Sequence, residues 1–141
     1  APELVTNTRR DTVNDPVSTL IAAMAAQDPE GIRAAYAPGA RLVTVSADSV
    51  AVREGAAAVA GKLADWYAGW EEGPIAHPYL RVTRAGDRAF VEIERTSTYA
   101  GAPWVVRQAH VLQLGAGGIV EHHAYCTGPR AGAPELAEVA P

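Results

Sequence analysis

Three histidines lie close together late in the chain: His110 and the adjacent pair His122 and His123. Histidine moves protons near neutral pH without help, because its ordinary pKa lies there. A glycine-rich stretch at 115–118 separates His110 from His122 and reads as a hairpin turn. Antiparallel strands joined by such a turn place His110 and His122 side by side on one face. His110 is then a candidate general acid or base, or alternatively a neutral core histidine bonded to a neighbour. His122 is a second acid/base group or an orienting partner, and His123 points to the opposite face. Zinc normally asks for three converging ligands. Strand parity divides this trio and no inward carboxylate joins it, so no metal is expected.

Upstream, Arg95 falls on the same side of its strand as Val91 and Ile93. An inward arginine is costly unless a carboxylate such as Asp48 or Glu54, or an anionic or carbonyl ligand, satisfies it. Ser97, two residues on, can orient a ligand or a water. Asp48 sits in a loop at the expected mouth and is the carboxylate best placed to act as a base. Gln108 shares the inward face of its strand with His110. Tyr36, Trp66, Trp70, Tyr99 and Trp104 supply aromatic walls suited to a hydrophobic ligand.

These side chains need elements to hold them. Asp15-Pro16 and Asp28-Pro29 are two helix starts, each with a capping aspartate and proline at the first helical position. The first helix carries Val17, Leu20, Ile21 and Met24 at helical spacing. The second is shorter and ends at Pro38-Gly39. A strand at 41–46, a short extended piece at 50–53 and a long helix at 54–70 follow. After Gly73-Pro74 the pattern turns to strand over 75–84, 88–99, 104–114 and 119–127, separated by short turns. That order implies an α+β layer fold, with a long antiparallel meander that must twist and curl. Parity sets Val105, Val111, Ile119 and Tyr125 on the outer face, an apolar set that predicts a homodimer. Residues 1–14 read as a flexible arm, 15–127 as one domain and 128–141, rich in Pro, Gly and Ala, as a mobile tail.

Composition narrows the function. The 141 residues carry 12 basic and 16 acidic side chains, a net charge of −4, with no basic stripe. Nucleic acid and anionic membrane are therefore not expected as partners. Residues 17–26 form the longest apolar candidate, too short to span a bilayer and without the basic lead of a signal peptide. A single cysteine, Cys126, excludes an intrachain disulfide. The expected location is cytoplasmic. The 115–118 glycines precede no helix and form no phosphate loop, and no nucleotide fingerprint is present, so no cofactor is expected.

The segment HVLQLGAGGIVEHHAY, residues 110–125, resembles the closing hairpin of nuclear-transport-factor-2-like domains, the SnoaL-like polyketide cyclases above all. DPEGIRAAYAPGARLV and the Arg-Glu-Gly before the long helix agree, and the resemblance covers residues 15–127. It implies a cone-shaped, curved antiparallel sheet whose concave face is covered by three N-terminal helices, and pairing of two sheets in a dimer. In the cyclases a His on the penultimate strand and an Asp on the last handle proton chemistry. His110 matches the first, while Ala124 stands where the second would be. The Arg-x-Asp pair of the epoxide-hydrolase branch reads Arg95-Thr96-Ser97, and the ketosteroid-isomerase base falls near Thr44. The expected function is a cofactor-free enzyme acting on a hydrophobic small molecule by cyclisation, isomerisation or dehydration. His110, His122 and Arg95 would be its catalytic residues. The alternative is a carrier using the same pocket.

Overall fold

Asp15 fixes where the first helix begins and where it docks. The computed structural model describes residues 15–67 and 75–139; the arm over 1–14 and Trp70 lie outside them. Helix α1 (Pro16–Ala25) starts with the Asp15 carboxylate accepting the Val17 and Ser18 amides at 3.3 and 3.2 Å. Arg84, on strand β3 (Ala76–Ala85), donates to the same carboxylate and ties α1 to the sheet. Burial opposes ionisation of Asp15, but hydrogen bonds from Arg84 and Ser18 outweigh it and hold the pKa below its usual value.

Helix α2 (Pro29–Ala34) stops earlier than Pro38-Gly39 suggested, and strand β1 (Tyr36–Val45) takes over at once. Its register is irregular between Tyr36 and Arg41, which absorbs Pro38 and its missing N–H. Strand β2 (Val50–Glu54) returns antiparallel to β1, and helix α3 (Ala56–Tyr67) follows. Strands β4 (Arg88–Tyr99), β5 (Ala102–Gly115) and β6 (Gly118–Cys126) continue the meander from β3. The sheet runs β2-β1-β6-β5-β4-β3.

One pairing departs from the expected all-antiparallel sheet: β1 runs parallel to β6. The two helices return the chain to the end of the sheet where the β5–β6 turn lies, so β1 and β6 start from the same edge. The Ile119 amide donates to the Ala35 carbonyl at 3.0 Å there. Gly118, at φ 126°, is what permits the approach, because a Cβ would stand 2.7 Å from the Ala35 oxygen. The result is an α+β fold with a curved, mixed, unclosed sheet.

Helices α1, α2 and α3 lay Val17, Leu20, Met24, Ile32, Val59 and Leu63 against Leu42, Val91, Ile93, Leu112 and Ile119, all buried. Two residues, Ile119 and Val105, depart from their expected outer face. Gln113 pairs with Glu121 and Leu114 with Ile119, so Val120 is an extra residue and Ile119 turns into the core. Val105 is also buried, beneath the C-terminal segment. That segment adds strand β7 (Arg130–Ala131) along β5 and a fourth, short helix α4 (Leu136–Val139). Val111 and Tyr125 remain on the outer face. In register with them stand Val43, Val52 and Phe90: one row runs Val52–Val43–His123–Val111–Phe90 across five strands. No helix among the described residues is long and apolar enough to cross a membrane.

Candidate functional site

Strand pairing sets His110 opposite Ala124 and Leu112 opposite His122, so the two histidines are diagonal neighbours on the concave face. Their rings meet: His110 Nδ1 lies 2.8 Å from His122 Nε2. On the far side, His122 Nδ1 is 2.7 Å from the Tyr36 hydroxyl, with the tyrosine ring stacked at 14°. On the near side, His110 Nε2 is 3.0 Å from the Gln108 carboxamide oxygen. The Gln108 amide nitrogen lies 3.7 Å from Cys126 Sγ, which also receives the Gly128 amide at 3.3 Å.

The donors and acceptors run one way. Gln108 Oε1 accepts from His110 Nε2–H, leaving His110 Nδ1 to accept from His122 Nε2–H. His122 Nδ1 then accepts the Tyr36 O–H. Both rings are neutral in this chain, and every ring nitrogen has a protein partner. Tyr36, Gln108, His110 and His122 are all buried. Burial pushes the pKa of His110 down to about 4. Burial, reinforced by the neighbouring histidines His110 and His123, drives His122 well below its ordinary value.

Next to Gln108 a cavity of about 290 Å³ opens on the concave side. Ser46, Asp48, Trp66, Arg95, Val106, Gln108, Cys126, Gly128 and Pro129 line it. Arg95 is 3% exposed and is the buried cation of the site. His77, on β3, is half-buried near it; burial and then the Arg95 charge lower its pKa. Sequence reasoning passed over His77, although its place on the strand paired with β4 was a usable signal.

Of the predicted site residues, Asp48, Trp66, Arg95 and Gln108 come together at this cavity. His110, His122 and Tyr36 form the chain behind Gln108 and do not line it. Ser97, Tyr99 and Trp104 are not among its lining residues either. Tyr99 packs edge-on to Trp104, with centroids 5.9 Å apart, beside the turn of the β4–β5 hairpin. Tyr36, expected on a helix, reaches His122 because it opens a strand. His123 faces outward, bonded to Glu121 at 2.8 Å. Among the described residues, no cluster of three or more His, Cys, Asp or Glu side chains is arranged to hold a metal.

The sequence model of the SnoaL-like domain matches residues 17–122. The chain belongs to the SnoaL-like family. Solved structures agree on the fold. A protein of ketosteroid-isomerase-like fold from Catenulispora acidiphila, solved in complex with trimethylamine, is 22% identical. The match covers 81% of this chain and 86% of that one, with a TM-score of 0.61. A nuclear-transport-factor-2-like protein from Burkholderia xenovorans is 18% identical over 86% and 92%, with a TM-score of 0.64. An LEH-like epoxide hydrolase from M. tuberculosis is 15% identical over 79% of each chain, with a TM-score of 0.56. At these identities the likeness shows a SnoaL-like fold and no particular reaction. No curated protein matches.

Proposed function

We propose that this SnoaL-like protein binds a small hydrophobic molecule carrying a carbonyl or anionic group. The ligand would sit in the cavity beside Arg95, with the histidine chain bracing Gln108 in the cavity wall from behind. The carrying observation is the occupancy of the imidazoles: His110 and His122 spend all four ring nitrogens on protein partners. A general base needs a lone pair aimed at substrate, and none is left over. The cavity has what binding requires: an apolar rim from Trp66, Val106 and Pro129, with Arg95, Gln108 and Ser46 as polar groups.

A catalytic reading has one specific observation behind it. Gln108 both lines the cavity and holds His110 Nε2, so a substrate displacing its carboxamide would meet His110 directly. Cyclisation, isomerisation or dehydration would then use His110 as base with Arg95 stabilising developing negative charge. Native mass spectrometry of the freshly purified protein tests the primary reading. A retained molecule lost in Arg95→Met supports it, and a molecule retained equally by that variant counts against it. Product release on mixing a retained molecule with wild type, but not with His110→Ala, would favour the catalytic reading.

A further inference from the structure

Glu94 and Arg95 are consecutive on β4 and point to opposite faces of the sheet. Arg95 lines the cavity, whereas Glu94 lies fully buried on the far side, under the C-terminal segment. Its carboxylate accepts the Glu135 amide at 3.0 and 2.9 Å and the Leu136 amide at 2.9 Å. Arg107, directly across in the β4–β5 register, donates its Nε to Glu94 at 2.8 Å and its Nη2 to Glu135 at 3.0 Å. One buried carboxylate thus gathers the first amides of α4 and a guanidinium, all charge-assisted bonds.

The path of the segment links this anchor to the cavity. It leaves β6 at Cys126, and Gly128 and Pro129 form part of the cavity wall. It then pairs with β5 beyond the end of β6, Arg130 with Val105 and Ala131 with Trp104, and ends at Glu94. Between its two ends it has little apolar anchorage: residues 129–135 are exposed, and α4 buries none of its side chains.

We propose that residues 128–139 are a strap whose root, Gly128 and Pro129, closes one side of the cavity and whose far end is held by Glu94 on the opposite face, and that ligand enters and leaves when the strap lifts. Strap and fold are separable by their contacts. Core packing between helices and sheet involves none of residues 128–139, so the strap can open as a local unit while the sheet stays intact. The inference rests on the cavity being the ligand site, but the strap itself is testable without any ligand.

Cys126 is the sole cysteine and stands at the strap's root, so a thiol reagent reads this one place. Glu94→Gln keeps the shape and removes the charge. It should speed labelling of Cys126 by dithionitrobenzoate, and amide exchange over 130–139, by about tenfold, the usual worth of one charge-assisted hydrogen bond. Exchange in β4 and β6 should stay unchanged. Leu136→Pro is the second variant, tolerated at the first position of α4 but lacking the amide that Glu94 accepts. It should release the strap with the core untouched, even where Glu94→Gln fails to fold. Exchange raised equally in strap and core, or a strap unmoved in Leu136→Pro, would overturn the proposal. Anilinonaphthalene sulfonate, an apolar anion, supplies the ligand arm: both variants should bind it faster with similar affinity. Failure of wild type to bind this dye would count against the cavity reading alone, with exchange and labelling still deciding the strap.

Discussion

His110 Nδ1 and His122 Nε2 face each other at 2.8 Å, and the outer nitrogen of each ring is held by Gln108 and Tyr36. Two imidazoles at that distance share one proton, so they cannot both be charged. A cation on either would be buried in an apolar core. The pair is therefore a neutral link in a chain that crosses β5, β6 and β1, stitching the parallel strand to the meander.

Tyr36→Phe tests the far end of that chain. Losing the hydroxyl leaves His122 Nδ1 buried without a donor, a defect worth about 1–3 kcal/mol. Urea denaturation should show a lower midpoint with unchanged slope. His110→Ala should cost at least as much, because it strands His122 and Gln108 together.

The pH dependence has a defined sign. The folded state holds His110 at about 4, against an ordinary 6.5, so the unfolded chain binds the proton more readily. The corresponding stability is fully present above pH 6.5 and is lost as pH falls from 6.5 toward 4. The shift corresponds to about 3 kcal/mol for His110. Urea titrations at pH 7.5 and 4.5 measure it, and His110→Leu should flatten the difference.

At the cavity, Arg95→Met removes the buried cation and keeps much of its bulk. Binding of anilinonaphthalene sulfonate should weaken by about tenfold, as expected for a lost charged contact. Fluorescence titration at two ionic strengths checks it, and unchanged affinity would place the dye elsewhere.

The outer row Val52–Val43–His123–Val111–Phe90 supports a proposal of sheet-to-sheet pairing between two copies. Phe90 and Val52 are 36% and 44% exposed, and the patch crosses five strands. Sedimentation should give a dimer at micromolar concentration, and Val111→Asp should give a monomer. A wild-type monomer would reject the pairing.

Local pattern carried much of this fold. Asp15-Pro16 and Asp28-Pro29 mark both helix starts, and the strands β3 to β6 follow the turn residues within one or two positions. Alternation alone faced Arg95, Gln108, His110 and His122 inward. The failures have physical causes. Parallel pairing of β1 with β6 joins segments about eighty residues apart and leaves no local trace. Pro38-Gly39 looked like a helix stop, yet the even-numbered alternation of Tyr36, Ala40, Leu42 and Thr44 already marked a strand face. One extra residue at Val120 inverted Ile119. Alternation sets Glu94 on the face opposite Arg95 but does not show its burial, because the tail that covers it has no periodicity; its position across from Arg107 was the available hint.

The protonation of the histidine chain is read without intermediary from the imidazole nitrogen spectrum. The chain has four histidines, His77, His110, His122 and His123, so the resonances of a nitrogen-15-labelled sample are few enough to assign by substitution. His110 and His122 should both be neutral Nε2–H tautomers at pH 7. Neither should titrate between pH 8 and pH 5, and Tyr36→Phe should shift His122 Nδ1. A resonance of His110 that titrates with a midpoint near 6.5, with Nε2 unprotonated at pH 7, would contradict the chain and restore the histidine as an available base.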